Sequence, residues 1–129
     1  MRIYLAGPIN HCDDAQASGW RQQAAQALHD FEVLDPMRRD YRGREQAHYR
    51  EIVHSDLIDV RGCDLVLANC WRPSVGTAME IVYATLADVR VYVVVPDLRT
   101  AHPWLAFHAT RLFDSLSEAL NAVRERSLS

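Results

Sequence analysis

Two carboxylates, Asp56 and Glu80, occupy positions in the sequence where an acid could do chemistry. Asp56 falls within an apolar stripe on a predicted helix, at ~100° per residue. The stripe consists of Tyr49, Ile52, Val53, Leu57 and Val60. Because a carboxylate on a buried stripe is unfavourable unless it has partners, Asp56 is a candidate catalytic residue. The alternative is an acid at the rim of the stripe whose charge an arginine balances.

Glu80 is predicted in the first turn of a helix that starts at about Thr77 and follows a buried strand. The free N–H groups and the dipole at a helix N-terminus favour an ionised carboxylate, which suits a nucleophile. The alternative is structural, since Thr77-Ala-Met-Glu80 also fits a capping box. The pattern alone leaves both roles open.

Two further groups of residues could bind an anion. Ser74 and Gly76 precede the same helix, and a hydroxyl beside free helix N–H groups can bind phosphate, although a Pro-Ser-x-Gly turn is also common in plain loops. Arg38, Arg39 and Arg42 could bind phosphate or the edge of a base. Their alternative role is to solvate a loop.

Composition and charge limit the function classes. The chain has 129 residues, of which 49% are hydrophobic and 24% charged, and a net charge of -3. This length and balance predict one globular domain over residues 1–129. The small negative charge argues against nucleic acid polymers and anionic membranes as partners. An odd number of cysteines, and no apolar run long enough for a signal peptide or membrane span, predict a cytoplasmic protein.

The types of basic and metal-binding residues exclude several kinds of site. All 14 basic residues are arginine, so Schiff-base, phosphate-loop and pyridoxal chemistry that needs a lysine is excluded. The six histidines show no metal-ligand spacing. We expect neither a metal nor another cofactor.

The strands and helices that must position these residues alternate along the chain. Sequence patterns predict strands at 2–6, 31–34, 63–70, 91–95 and 110–113, and helices at about 14–30, 45–61 and 77–87. Ser115 and Glu118 fit a capping box for a last helix, and a long polar and aromatic loop is predicted after Pro96. This alternation predicts an α/β fold: a single open, mainly parallel, five-stranded sheet with helices on both faces, flavodoxin-like or Rossmann-like.

The predicted sheet also indicates where a ligand should bind. In open α/β sheets the site lies beyond the carboxyl ends of the strands. These ends fall at 7–10, 35–43, 69–76 and from Pro96 onward. The candidate residues named above lie in these loops or on the helices that follow them.

Three stretches, taken in order and spacing, resemble a known family. They are Tyr4-Leu-Ala-Gly7-Pro8-Ile9, then Asp56 with Asp64-Leu-Val-Leu-Ala-Asn69, and finally Ser74-Val-Gly76-Thr-Ala-Met-Glu80-Ile. The pattern resembles the nucleoside 2-deoxyribosyltransferase family, including its relatives that hydrolyse nucleoside 5'-monophosphates. The resemblance covers roughly residues 2–96.

The resemblance implies a role for each matching residue. Glu80 matches the nucleophile that attacks the anomeric carbon and forms a glycosyl-enzyme, as in retaining glycoside chemistry. Asp56 matches the aspartate that works at the base and assists protonation of the leaving group. Tyr4 matches the tyrosine that positions the nucleophile, and Gly7-Pro8-Ile9-Asn10 match the loop that lines the sugar end of the site.

One departure bears on the substrate. Family members that act on free nucleosides carry an acid six residues before the nucleophile, where this chain has Ser74, as the monophosphate-hydrolysing relatives do. An acid would repel a 5'-phosphate, whereas a serine at a helix start can bind it. Those hydrolases also use an arginine at the position of Asn10. Arg38 or Arg39 would have to compensate for it.

The resemblance implies an enzyme that cleaves the N-glycosidic bond of a (deoxy)nucleoside or its 5'-monophosphate and passes the sugar to water or another base. It also implies a homodimer or higher homo-oligomer, with a residue from 101–108 entering a neighbouring site. His102, Trp104 and His108 are candidates for that residue. The alternative is a non-catalytic nucleotide-binding module on the same fold. The two carboxylates favour the enzyme, because a binding module does not need them.

Overall fold

The computed structural model describes residues 1–128, and these form one five-stranded sheet. The strands are β1 (Arg2–Ala6), β2 (Glu32–Leu34), β3 (Leu65–Asn69), β4 (Arg90–Val94) and β5 (Arg111–Phe113). Their order across the sheet is β2-β1-β3-β4-β5, and every neighbouring pair is parallel. This is the strand order of flavodoxin-like sheets. The predicted open, parallel α/β fold is confirmed.

Five helices connect or follow the strands in the described part of the chain. They are α1 (Asp14–Ala27), α2 (Glu45–Arg61), α3 (Val75–Leu86), α4 (Pro103–His108) and α5 (Leu116–Leu128). Short 3₁₀ turns lie at Pro36–Arg38 and Leu98–Thr100. Within α2 the backbone of His48 is non-helical, so the first turn of this helix is kinked relative to the rest.

The alternation of side chains along the strands divides the core into two layers. Ile3 and Leu5 of β1 face α1 and α5, where they pack with Leu28 and Val123. Tyr4 and Ala6 face the other side, in the cluster to which α2 and α3 contribute buried residues. All five residues of β3 are buried, which explains why its sequence is a continuous apolar run. The central strands thus give a rigid base to the loops at their carboxyl ends.

The start of α3 differs from the prediction. The helix begins at Val75, with Ser74 as its N-cap, rather than at about Thr77. The Ser74 hydroxyl oxygen accepts hydrogen bonds from the Thr77 amide at 3.3 Å and the Thr77 hydroxyl at 3.0 Å. Thr77 is therefore the third residue of the helix, and the predicted Thr77–Glu80 capping box is wrong.

The segment after β4 also differs from the prediction. It was predicted as a loop, but it contains the helix α4. A proline at the first position of α4 and a hydrogen bond from the Trp104 amide to the His102 ring start this short helix. Its six residues are too few to produce a helical repeat in the sequence, so periodicity could not reveal it.

Candidate active site

A pocket of about 250 Å³ lies at the carboxyl ends of β1, β2 and β3, between α2 and α3. This volume is close to the lower end of the range for small-molecule sites, ~300 Å³. The lining residues are Gly7, Ile9, Asn10, Pro36, Arg39, Tyr41, Arg42, Glu45, Ile52, Val53, Asp56, Leu57, Ser74, Gly76, Thr77, Met79 and Glu80. Many of them are apolar, so the pocket suits a ligand that combines an apolar part with a few polar groups.

Glu80 and Tyr4 form the polar contact at the base of this pocket. Tyr4 lies on β1 with no exposed surface, and its hydroxyl donates a hydrogen bond to the Glu80 carboxylate. Glu80 projects from the second turn of α3, six residues after Ser74. The prediction that Glu80 lies in the first turn, beside the free N–H groups, is therefore wrong. A buried strand, not a helix terminus, supplies its hydrogen-bond donor.

The surroundings of Glu80 favour its protonated form. Burial, together with the nearby charge of Asp56, raises the pKa of the Glu80 carboxyl to about 8, against the opposing effects of Tyr4 and Arg21. The expectation of an anion stabilised by the helix dipole is corrected accordingly. Burial and the charges of Glu80 and Asp56 also raise the pKa of Tyr4, so this side chain remains a phenol that can donate.

Asp56 lines the same pocket from α2, and its side chain is 20% exposed. The Arg39 guanidinium donates to its carboxylate at 3.2 Å. Burial raises the pKa of the Asp56 carboxyl, and Arg39 opposes this effect. The stripe around Asp56 is less buried than predicted, because Tyr49 and Val53 are about half exposed. Asp56 thus combines the two roles considered for it: it is a pocket residue and also the partner of an arginine.

The two arginines before α2 take different positions. Arg39 lines the pocket and also binds Asp59 at 2.6 Å. Arg38 binds the same Asp59 carboxylate at 2.7 Å and does not line the pocket. The related hydrolases have an arginine at the position of Asn10, and Arg38 and Arg39 were considered as its replacements in this chain. Of these two, only Arg39 lines the pocket. Both are held by carboxylates, as in a structural ion-pair network.

The loop after β1 is placed by close packing and by a distant arginine. A Cβ atom on Gly7 would lie 2.6 Å from the Trp20 ring and 3.2 Å from the Asn69 carbonyl oxygen, so only glycine fits. The carbonyl of Asn10 accepts a hydrogen bond from Arg72 at 2.6 Å. Gly7, Ile9 and Asn10 line the pocket with Ser74 and Gly76, whereas Pro8 does not.

Arg42, which the sequence suggested as a residue that could bind phosphate, lines the pocket, and so do two neighbouring polar residues that the sequence did not single out, Tyr41 and Glu45. Arg42 binds the Asp14 carboxylate at 2.6 Å and that of Asp40 at 2.8 Å. For Tyr41 and Glu45, the only signal in the sequence was that they lie in the loop after β2 and at the start of α2. Such a position marks a whole loop but not the members of it that face inward.

Within residues 1–128, no group of three or more His, Cys, Asp or Glu side chains is arranged to hold a metal ion. None of the helices in this part of the chain is long and apolar enough to cross a membrane. The polar groups that face the pocket are carboxylates, arginines, hydroxyls and amides. They can supply a nucleophile, an acid and hydrogen bonds to a small polar ligand.

Comparisons with known proteins identify the family of this chain and show its fold in other proteins. A family model described as nucleoside 2-deoxyribosyltransferase matches residues 3–123. Among solved structures, a 2-deoxyribosyltransferase from Bacillus psychrosaccharolyticus has a TM-score of 0.72 and 18% identity, with 94% of this chain and 91% of that chain covered. The CMP N-glycosidase BcmB from Clostridium botulinum has a TM-score of 0.61 and 17% identity, with 96% and 99% covered.

A third solved structure belongs to a protein of a different kind, one that binds a cofactor. The molybdenum cofactor binding protein from Rippkaea orientalis has a TM-score of 0.66 and 14% identity, with 99% of this chain and 97% of that chain covered. No curated protein sequence matches significantly. At these identities the structural likenesses show a shared fold.

Proposed function

Because the chain belongs to the nucleoside 2-deoxyribosyltransferase family, we propose that it cleaves the N-glycosidic bond of a (deoxy)nucleoside or its 5'-monophosphate and passes the sugar to water or another base. The observation that carries this proposal is the hydrogen bond from Tyr4 to Glu80, whose carboxylate lines the same pocket as Asp56. A nucleophilic carboxylate and a second acid are the groups that retaining glycosidic cleavage needs.

In the proposed reaction, Glu80 attacks the anomeric carbon in its ionised form, which burial disfavours and which becomes more populated as the pH rises towards about 8, while Tyr4 donates to its second oxygen. The C–N bond breaks, and its electron pair leaves with the base. Asp56, whose raised pKa lets it retain a proton more readily than in water, donates that proton to the departing base. Water or a second base then attacks the anomeric carbon of the glycosyl-enzyme, and the bond to the Glu80 oxygen breaks with its electron pair returning to the carboxylate. The proton that the attacking group loses returns to Asp56.

The experiment that tests this function is a panel of nucleosides and nucleoside 5'-monophosphates, incubated with and without an acceptor base. Chromatography measures the free base and any exchanged nucleoside. Released base that requires Glu80 supports the proposal, and Glu80→Gln is the matched control. Tight binding across the panel without release would favour a non-catalytic nucleotide-binding module instead. The likeness to a cofactor-binding protein is the observation that favours this second candidate.

We further propose a preference for 5'-monophosphates, based on Ser74. Its oxygen accepts both hydrogen bonds from Thr77, so its proton is free to donate to a phosphate at the start of α3. One charge-assisted hydrogen bond contributes roughly 1.5–3 kcal/mol, which corresponds to about tenfold or more in kcat/KM. We expect the unmodified protein to release base from monophosphates at least tenfold more efficiently than from the matching nucleosides.

Ser74→Asp is expected to reverse this preference, because the new carboxylate repels phosphate. Aspartate and asparagine are both good N-caps, so α3 should still start at the same residue. Ser74→Asn is therefore the matched neutral control, and it should lose much less of the preference. If the unmodified protein cleaves free nucleosides at least as efficiently as monophosphates, the assignment of a phosphate site is wrong. Base exchange between nucleosides then becomes the better functional assignment.

We also propose that the protein works as a homo-oligomer joined through α3 and α4. Val75, Met79 and Leu86 of α3 share one helix face and are exposed, and Leu86 is 80% exposed. Trp104 and Phe107 of α4 are also exposed, at 67% and 82%. Met79 belongs to this apolar surface and also lines the pocket, so a second copy seated there would lie beside the site.

Leu86→Glu is expected to shift the protein towards monomers, because it would bury a charge in the proposed contact. Sedimentation velocity at micromolar concentration measures the change. Gln23→Glu is the control, since Gln23 is exposed on α1, on the opposite face of the sheet. A monomeric unmodified protein would contradict the proposal.

A further inference from the structure

The most unusual buried group outside the reacting pair is Arg21 of α1. It is a charged side chain with no exposed surface, and it is among the largest fully buried side chains. Burial of an arginine is unfavourable unless its charge and its donors are satisfied. The role of this charge is therefore a question that the fold alone does not answer.

The contacts of Arg21 lead to the two loops that enclose the pocket. Its guanidinium donates to the Gly7 carbonyl at 3.0 Å and to the Ala17 carbonyl at 2.6 Å. Its Nε atom lies 3.5 Å from the Asp35 carboxylate. Gly7 lines the pocket, and Asp35 caps the turn at Pro36, another lining residue. Arg21 thus joins the loop after β1 to the loop after β2 from behind the pocket.

The same charge acts on Glu80. Three groups from three elements influence this carboxyl: Tyr4 of β1, Asp56 of α2 and Arg21 of α1. Asp56 disfavours the ionised form, and Tyr4 favours it through one hydrogen bond. Arg21 is the cation among the three. The groups whose charges act on Arg21 in turn are Asp35, Tyr4, Glu80 and Cys12.

We propose that Arg21 is a positioning residue that holds the Gly7 and Asp35 loops around the pocket and supplies a positive charge that favours the ionised form of Glu80 against the effect of burial. Its importance for turnover depends on the proposed function, whereas its effect on Glu80 does not. The sequence gives no sign of this role, because an arginine on a helix normally belongs to the solvated face.

The test compares Arg21→Met, which removes the charge at similar volume, with Arg21→Lys, which keeps the charge but loses the planar fork. The first measurement is a ¹³C NMR titration of the Glu80 carboxyl, assigned with Glu80→Gln. Arg21→Met should raise the titration midpoint by about one pH unit, and Arg21→Lys should leave it near that of the unmodified protein. Arg124→Met is the control, since Arg124 donates to the Ala27 carbonyl at 2.7 Å and does not line the pocket.

The second measurement is the pH dependence of kcat/KM for base release. In Arg21→Met, the acidic side of the pH profile of kcat/KM should shift to higher pH by the same amount, about one pH unit. At a fixed pH on that side, this corresponds to about a tenfold loss of kcat/KM. Arg21→Lys should mainly raise KM, since the loops lose their anchor while Glu80 keeps its counter-charge. If no base release is found for any variant, the proposed function fails, but the NMR titration still decides the effect on Glu80.

A folded Arg21→Met protein with an unchanged Glu80 midpoint would overturn the proposal. If this variant does not fold, Arg21→Gln takes its place, because glutamine is neutral and can still donate to the Gly7 carbonyl. Failure of both neutral variants to fold would show that Arg21 supports the fold rather than the site. The proposal would then also be rejected.

Discussion

Replacing Glu80 by alanine is expected to lower the rate of base release by several orders of magnitude while the protein stays folded. The reason is that no other group described at the base of the pocket can attack the anomeric carbon with the help of Tyr4. Glu80 is not a helix cap, and loss of its hydrogen bond from Tyr4 would cost only about 1–3 kcal/mol of stability. Single-turnover kinetics and circular dichroism on the same sample measure both effects. A folded variant that keeps most of its activity would return Glu80 to a structural role.

Glu80→Gln separates charge from shape, because its amide oxygen can still accept the Tyr4 hydrogen bond. The raised pKa means that the folded protein binds this proton more tightly than the unfolded chain does. The stability from Glu80 is then fully present below its ordinary pKa of 4.5 and is lost as the pH rises through about 8.

The glutamine variant escapes this loss because it has no proton to release. We expect it to unfold with a higher free energy than the unmodified protein at pH 8, by on the order of 1–3 kcal/mol, and to match it at pH 4. Urea unfolding at the two pH values measures the difference. If the two proteins are equally stable at both pH values, the pKa of Glu80 is not raised in the folded protein.

The second large effect is expected from Asp56→Asn, which should lower base release at least a hundredfold. Asparagine keeps the shape and can still accept from Arg39, but it cannot deliver a proton to the base. Binding of a non-hydrolysable substrate analogue should weaken much less than turnover, because the pocket is otherwise unchanged.

Asp59→Asn is the matched control for this change. Asp59 also binds Arg39, at 2.6 Å, but does not line the pocket, so its loss removes a partner of the same arginine without removing the acid. Turnover should fall far less than in Asp56→Asn. Equal losses of binding and turnover in Asp56→Asn would make Asp56 a binding residue, and no loss would leave it as the partner of Arg39.

Much of the fold follows from local patterns in the sequence. The strand at 65–69 is buried on both sides, so its apolar run is continuous, and α2 spans Glu45–Arg61, as the predicted helix at about 45–61 does. The start of α3 was placed two residues late. Ser74 and Thr77 are both acceptable caps, and only the three-dimensional path of the chain decides that the Ser74 oxygen accepts the bonds.

The candidate site was predicted less completely than the fold. The sequence pointed to Tyr4, Asp56 and Glu80. Asp56 and Glu80 line one pocket, and Tyr4 lies behind it with a hydrogen bond to Glu80. The ionisation of Glu80 was misjudged, because burial depends on what covers the carboxyl and a helical position does not show it. Arg21 and the Arg39–Asp56 contact join segments that are far apart in sequence, so no local pattern could reveal them.

The two sides of the pocket differ in how the chain supports them, and this difference bears on how such a protein can evolve. Tyr4 belongs to a buried strand, so most changes there would disturb the core. Tyr41 and Arg42 belong to a surface loop held by ion pairs of the kind that contribute little to stability. Substitutions on the loop side would therefore disturb the fold less than substitutions on the side of Tyr4. New substrate preferences would arise from loop substitutions, with the chemistry inherited unchanged.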